Sequence, residues 1–138
     1  FTALYFVAGI GGSVASFWFS SPDIVGIGAS GAIFGLMGAY VVVGRALRAD
    51  ISQVLGLIAL NVVIGFVAGG VDWRAHLGGL ATGALVAAVF AFAPARHRVL
   101  VQVAGVVVVL VALSVLVLAR DAALTAELAS VGITSIPA

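Results

Sequence analysis

Five long apolar runs alternate with short polar segments along the chain. The runs contain roughly 16 to 21 residues each and lie at about 1–19, 25–43, 54–70, 75–93 and 99–119. A helix rises about 1.5 Å per residue, so each run can cross a hydrocarbon core of about 30 Å. Backbone polar groups must be paired inside lipid, which favours helices, and alternating barrel strands fit these runs poorly. We therefore predict an all-α, polytopic transmembrane helix bundle with five spans.

The placement of charge predicts which ends of the helices face the cytoplasm. The chain is 64% apolar and 8% charged, with a mean hydropathy of +1.34, whereas soluble domains are about 25% charged. Four of the six arginines lie in the connections 45–50 and 94–98. The positive-inside tendency places these connections in the cytoplasm and 20–24 and 70–74 outside. The absence of lysine beside abundant Ala, Val, Gly and Arg favours a bacterial inner membrane.

Composition also excludes several kinds of site. The chain has no cysteine, and its two histidines and five carboxylates do not show metal-ligand spacing. We expect no cofactor and no metal. A net charge of +1, with arginines spread over five places, forms no basic stripe, so we expect a lipid bilayer and no nucleic acid as a partner.

Two glycine-flanked segments carry the candidate chemistry, a hydroxyl and an imidazole. The first segment runs from Gly28 to Gly35 and contains Ser30, and the second runs from Ala75 to Gly83 and contains His76. In the predicted topology Ser30 lies about five residues, or roughly 8 Å, below the outer surface, and His76 is near the outer end of its own helix. Both polar groups therefore approach from the outer face.

If these segments are helical, the glycines of each one lie on a single face, which therefore carries little side-chain bulk. At about 100° per residue, Gly28, Gly31 and Gly35 share one arc, and His76, Gly79 and Gly83 share another. Packing these faces together would bring Ser30 to His76. Other interpretations remain open, because a lone serine in such a helix usually bonds a carbonyl one turn back. A histidine within a span is expensive and by default marks function.

Together, the Gly28-x-Ser30-Gly31-x-x-x-Gly35 pattern and the Ala75-His76-Leu77-Gly78-Gly79 segment resemble the rhomboid intramembrane serine proteases. The resemblance covers roughly residues 1–119 and implies a serine endopeptidase that cuts single-pass membrane proteins within or near their spanning segment. It implies that Ser30 is the nucleophile, that its backbone N–H binds the oxyanion, and that His76 is the general base. Phe34 matches a position where the family often packs an aromatic ring on the histidine.

The resemblance also indicates what the chain lacks. Rhomboids complete the oxyanion hole with His and Asn side chains on an earlier helix, so we expect 1–119 to be a partial rhomboid-like domain with weak activity by itself. Residues 120–138 are expected to form a poorly ordered C-terminal tail. Asp72, four residues before His76, is not expected to be a third catalytic residue, and Asn61 is expected to bond a neighbouring helix.

Two other classes of function remain as alternatives. One is a catalytically inactive rhomboid-like protein that binds transmembrane clients, although relatives of that kind tend to lack the Ser or the His. The other is a channel or transporter, which would predict more inward-facing polar residues or broken-helix repeats than this chain offers.

Overall fold

The computed structural model describes residues 1–20, 29–67 and 71–132. Within these ranges the chain forms five α-helices and no β-strand. The helices are α1 (Thr2–Phe19), α2 (Ser30–Ala46), α3 (Ser52–Val67), α4 (Trp73–Phe92) and α5 (Arg98–Ser130), with a 3-10 turn at Ala95–His97 before α5. The prediction of an all-α helix bundle is confirmed.

The helices differ in how completely they could span a membrane. Helices α1 and α4 and the segment Ala95–Ser130 are long and apolar enough to cross one. Helices α2 and α3 are also apolar but have 17 and 16 residues. A helix of that length measures about 25 Å, which is less than the roughly 30 Å of an average hydrocarbon core. These two helices therefore lie at or just below the lower end of the length range for a membrane span, about 17 residues.

Helix α2 begins later than the hydrophobic pattern predicts. Ala29 is its N-cap and Ser30 its first residue, whereas we expected the second span to begin at about residue 25. Residues 25–28, including the predicted packing residue Gly28, lie outside the described ranges. Ser30 is thus the first residue of its helix. Its depth of roughly 8 Å below the outer surface stays a prediction.

Helix α5 continues beyond the predicted end of the last span. The apolar run stops near residue 119, but the helix extends to Ser130, so our expectation of poor order is wrong for residues 121–130. This segment is rich in Ala and Leu and contains Glu127, all strong helix formers. Loss of hydropathy marks where a chain leaves the membrane, whereas helix propensity decides where the helix ends. Whether 120–138 acts as a separate tail stays a prediction.

The centre of the bundle is formed by α1, α2 and α4. Each of these helices buries several residues, most of them glycine, alanine or valine, and α2 also buries Phe34. Among the described residues, α3 buries Gly65 alone and α5 buries Val109 alone. The three central helices hold both residues of the candidate pair, Ser30 and His76.

Candidate active site

Glycines bring the backbones of α2 and α4 into direct contact. A Cβ atom added at Gly79 would meet the backbone of Gly31, and one added at Gly83 would meet the backbone of Gly35. A Cβ atom at Gly35 would lie 3.1 Å from the carbonyl oxygen of Gly79. The order of these contacts shows that α2 and α4 run parallel, so both helices start at the same end of the bundle.

Helix α1 packs against the first turns of both helices. The carbonyl oxygen of Ala75 lies 2.7 Å from the position of a Cβ atom on Gly12 and 3.2 Å from that of a Cβ atom on Gly31. Small residues at helix interfaces allow such approaches because they remove side-chain bulk. The residue that precedes His76 is therefore enclosed between α1 and α2.

His76 is buried against an aromatic ring of α2. Its side chain is 6% exposed and stacks on Phe34, with 4.1 Å between ring centroids and 9° between ring planes. Phe34 is itself 3% exposed. Within the described part of the chain, Nδ1 of His76 is buried and has no hydrogen-bond partner. The ring is therefore positioned by stacking and packing.

Ser30 lies at the same end of the bundle and is exposed. It precedes Phe34 by one helical turn and is adjacent to Gly31, which contacts the backbone of Ala75. Across the described ranges no hydrogen bond joins the Ser30 hydroxyl to His76. Catalytic hydrogen bonds are often long in the absence of substrate and tighten when it binds.

The first backbone N–H groups of α2 lie beside Ser30, before the helical hydrogen bonds begin. Among the described residues, the first such bond of α2 runs from the N–H of Ile33 to the carbonyl of Ala29, at 3.1 Å. The N-cap residue is Ala29, whose side chain cannot form a hydrogen bond with the first turn. The N–H groups of Ser30 and Gly31 thus have no acceptor within their own helix. Such a helix terminus carries partial positive charge and favours anions.

Asp72 caps the helix that carries His76. One of its carboxylate oxygens accepts from the N–H groups of Arg74 and Ala75, at 3.1 and 3.2 Å, and the other accepts from the Ser16 hydroxyl. A third member of a catalytic triad would bond Nδ1 of the histidine, which has no partner here. The contact between Ser16 and Asp72 was not predicted from the sequence. Ser16 lies four residues after Gly12, on the face of α1 that packs on α4, and this spacing is the signal that could have predicted the contact.

The remaining polar candidate, Asn61, does not reach the site. Its amide Nδ2 donates to the carbonyl of Leu57 in its own helix, at 2.9 Å. The expected hydrogen bond to a neighbouring helix is therefore wrong. Helix α3 packs loosely at the edge of the bundle, so Asn61 bonds a carbonyl one turn back in its own helix.

The described residues contain no group of His, Asp or Glu that could hold a metal ion.

Comparison with known proteins links the chain to one family. The Rhomboid domain model matches residues 1–93. The rhomboid protease GluP of Bacillus subtilis is 40% identical over 93 residues, which are 64% of this chain and 18% of that protein. RHOMBOID-like protein 4 of Arabidopsis thaliana is 37% identical over 99 residues, 66% of this chain and 24% of that protein.

A third relative matches over a longer stretch. The rhomboid protease AarA of Providencia stuartii is 30% identical over 126 residues, covering 70% of this chain and 44% of that protein. The chain thus spans less than half the length of each of these three relatives. No solved structure matches the chain. Since the family model covers residues 1–93 of 138 and the apolar helices form a bundle, the chain belongs to the rhomboid family of integral membrane proteins, a family of intramembrane proteases.

Proposed function

We propose that the protein is a serine endopeptidase that cleaves single-pass membrane proteins within or near their membrane-spanning segments. The observation that carries this proposal is the stack of His76 on Phe34, one turn after Ser30. This stacking holds the buried imidazole of His76 at the end of the bundle where Ser30 is exposed. An ionisable side chain at such a position is costly, which favours a functional role over a packing role.

In the proposed reaction Ser30 is the nucleophile and His76 is the general base. The Ser30 Oγ attacks the carbonyl carbon of the scissile peptide bond while the imidazole accepts the hydroxyl proton. The imidazolium then gives that proton to the leaving nitrogen as the C–N bond breaks, and an ester forms on Ser30. Water attacks the ester, His76 takes its proton, and the proton returns to Ser30 as the carboxyl product leaves. Because Nδ1 is enclosed, we assign these transfers to Nε2.

The pair is proposed to act without a third acid. In a triad, a carboxylate sets the tautomer and orientation of the histidine. Here Phe34 provides the orientation by stacking, and Asp72 is engaged with α1 and with the first turn of α4. The rhomboid resemblance implies the same arrangement.

The oxyanion of the tetrahedral intermediate is proposed to bind the backbone N–H of Ser30. That group lies at the start of α2, where it has no acceptor within the helix. Loss of one oxyanion donor typically lowers the rate about 10²- to 10³-fold. The family's additional His and Asn donors belong to an earlier helix, and Asn61 bonds its own helix instead. We therefore expect these 138 residues alone to be weakly active.

The site is proposed to open towards the outer face of a bacterial inner membrane. The arginine-rich connections at 45–50 and 94–98 lie at the opposite end of the bundle from Ser30 and His76. Ser30 is exposed at the start of α2, and hydrolysis requires that this surface is open to water. A substrate helix hides its carbonyls in hydrogen bonds, so substrates would need residues that unwind easily near the cleaved bond.

A fluorophosphonate probe tests for an activated serine. We would label the full-length protein in liposomes and compare wild type with Ser30→Ala and His76→Ala, which should both lose labelling. Ser114→Ala is the matched control, because the Ser114 hydroxyl bonds the carbonyl of Leu110 within α5, at 2.9 Å, and should be irrelevant. If folded wild type does not label, the proposal fails and the client-binding alternative becomes the better account.

A further inference from the structure

A polar cluster links the end of α1 to the start of α4. The Ser16 hydroxyl donates to Oδ2 of Asp72, and the hydroxyl oxygens of Ser16 and Ser20 lie 3.3 Å apart. Ser20 is buried and Ser16 is half-buried. The proposed reaction uses none of these three side chains directly, although Asp72 precedes the general base by about one helical turn.

We propose that Ser16 is a positioning residue, which acts through Asp72 to hold His76 in register with α2. This inference rests on the proposed function, because it assigns Ser16 a role in presenting the general base. Its structural part, a link between α1 and the first turn of α4, can be tested without any catalysis.

The contacts of Asp72 connect Ser16 to His76 in two steps. The carboxylate oxygen that does not accept from Ser16 accepts from the N–H groups of Arg74 and Ala75. The carboxylate thus holds α1 on one side and the backbone of the first turn of α4 on the other. His76 is the next residue after Ala75, so a shift of that turn moves the imidazole.

The neighbouring glycine contacts explain why such a link is needed. Around the site, α1 and α4 meet through small residues: Gly12 faces the carbonyl of Ala75, and the side chain of Thr82 fills the space beside Gly11. These contacts allow close approach but are not directional. A hydrogen bond to a carboxylate is directional and about twice as strong as a neutral one. It adds a directional contact to the packing that holds α1 and α4 in register.

Ser13 provides a matched comparison on the same helix. It lies three residues before Ser16 and is exposed, and its hydroxyl donates to the carbonyl of Gly9 within α1, at 3.1 Å. Replacing either serine with alanine removes one hydroxyl from α1. Of the two hydroxyls, that of Ser16 is the one bonded to α4.

The test measures both turnover and local opening in the full-length protein. A fluorogenic single-pass membrane peptide in liposomes gives kcat and KM, and hydrogen exchange reports on residues 73–76. A misplacement of about 1 Å can cost about 10²-fold in rate, so we expect Ser16→Ala to lower kcat about tenfold with little change in KM. Exchange at 73–76 should accelerate about tenfold. Ser16→Thr, which retains a hydroxyl, should restore both, and Ser13→Ala should match wild type.

Each result decides one of the two proposals. If Ser16→Ala matches Ser13→Ala in kcat and in exchange while wild type remains active, the positioning role is wrong and the Ser30–His76 pair stands. If kcat falls but Ser16→Thr does not restore it, the hydroxyl is not the cause and the inference is overturned. If wild type itself is inactive, the proposed function fails, and exchange alone decides whether Ser16 secures α4.

Discussion

The inner and outer helices of this bundle are built by different rules. Helices α1, α2 and α4 meet through glycines whose missing side chains are filled by a neighbour's backbone, as at Gly79 and Gly83. Helix α3 has a glycine of the opposite kind, since nothing lies within 4 Å of a Cβ atom placed on Gly56. Most large side chains of α3 and α5 are exposed, as expected of helices that face lipid.

This difference between inner and outer helices shows which part of the fold can hold catalytic side chains in fixed positions. Lipid tails are as apolar as the side chains that face them, so apolar matching alone does not hold helices in one register. Close backbone packing does so, and it is concentrated where Ser30 and His76 lie. The outer helix α3 contacts this region at Trp73, where the Phe66 ring stacks at 4.8 Å between centroids.

The largest expected effect comes from adding a side chain between α2 and α4. Gly79→Ala should lower the free energy of unfolding by at least about 2 kcal/mol, because the new methyl group meets the backbone of Gly31, which cannot rotate away. Gly56→Ala should be neutral or stabilise by about 0.5–1 kcal/mol through helix propensity. Reversible unfolding in mixed micelles measures both. Equal effects of the two substitutions would remove the distinction between inner and outer helices.

A smaller effect is expected from changing the ring that orients the histidine. Phe34→Leu keeps a buried apolar side chain but removes the aromatic stack on His76, a contact that is worth about 0.5–1.5 kcal/mol. We expect kcat for a membrane-peptide substrate to fall roughly 2- to 12-fold. The control is Phe19→Leu, at a ring that is 69% exposed. A similar fall in both variants would show that stacking does not orient the base.

The smallest expected effect is at the edge of the bundle and depends on pH. A hydrogen bond from the backbone N–H of Ser52, at 2.9 Å, holds the pKa of Asp50 below its usual value of 3.8. A lowered pKa means that the ionised carboxylate stabilises the fold above about pH 4, and that this stabilisation is lost as the pH falls through the folded-state pKa.

Hydrogen exchange at the first turn of α3 measures this effect. Wild type should be better protected than Asp50→Asn at pH 6, and the difference should shrink as the pH falls below about 4 and the carboxylate is protonated. His76 and the inner helices should show no change that follows Asp50. A difference that does not change with pH would contradict the assigned role of the carboxylate.

Much of the fold could be predicted from the sequence because lipid imposes simple rules. Apolar runs of the required length must form helices, and each of the five predicted runs overlaps one helix. The ends were harder to predict. Helix α5 extends beyond its apolar run because the residues that follow are good helix formers, and hydropathy does not measure helix propensity. Hydropathy also does not mark the start of α2 at Ser30.

The candidate site was predictable in its residue types but not in its supporting contacts. The spacing of the glycines predicted that α2 and α4 would each have a glycine-lined packing face. The structure places Gly31, Gly35, Gly79 and Gly83 between these helices. The link from Ser16 to Asp72 joins residues 56 positions apart, and nothing local in the sequence pairs them. Asn61 was mispredicted because the sequence does not show how loosely α3 packs.

The proposed mechanism requires that His76 activates Ser30. Peptide mapping by mass spectrometry, after fluorophosphonate treatment of the full-length protein in liposomes, is the decisive measurement. We expect one phosphonyl adduct, on the peptide that contains Ser30, and its loss in His76→Ala. An adduct on another serine, or an adduct on Ser30 that survives His76→Ala, would contradict it.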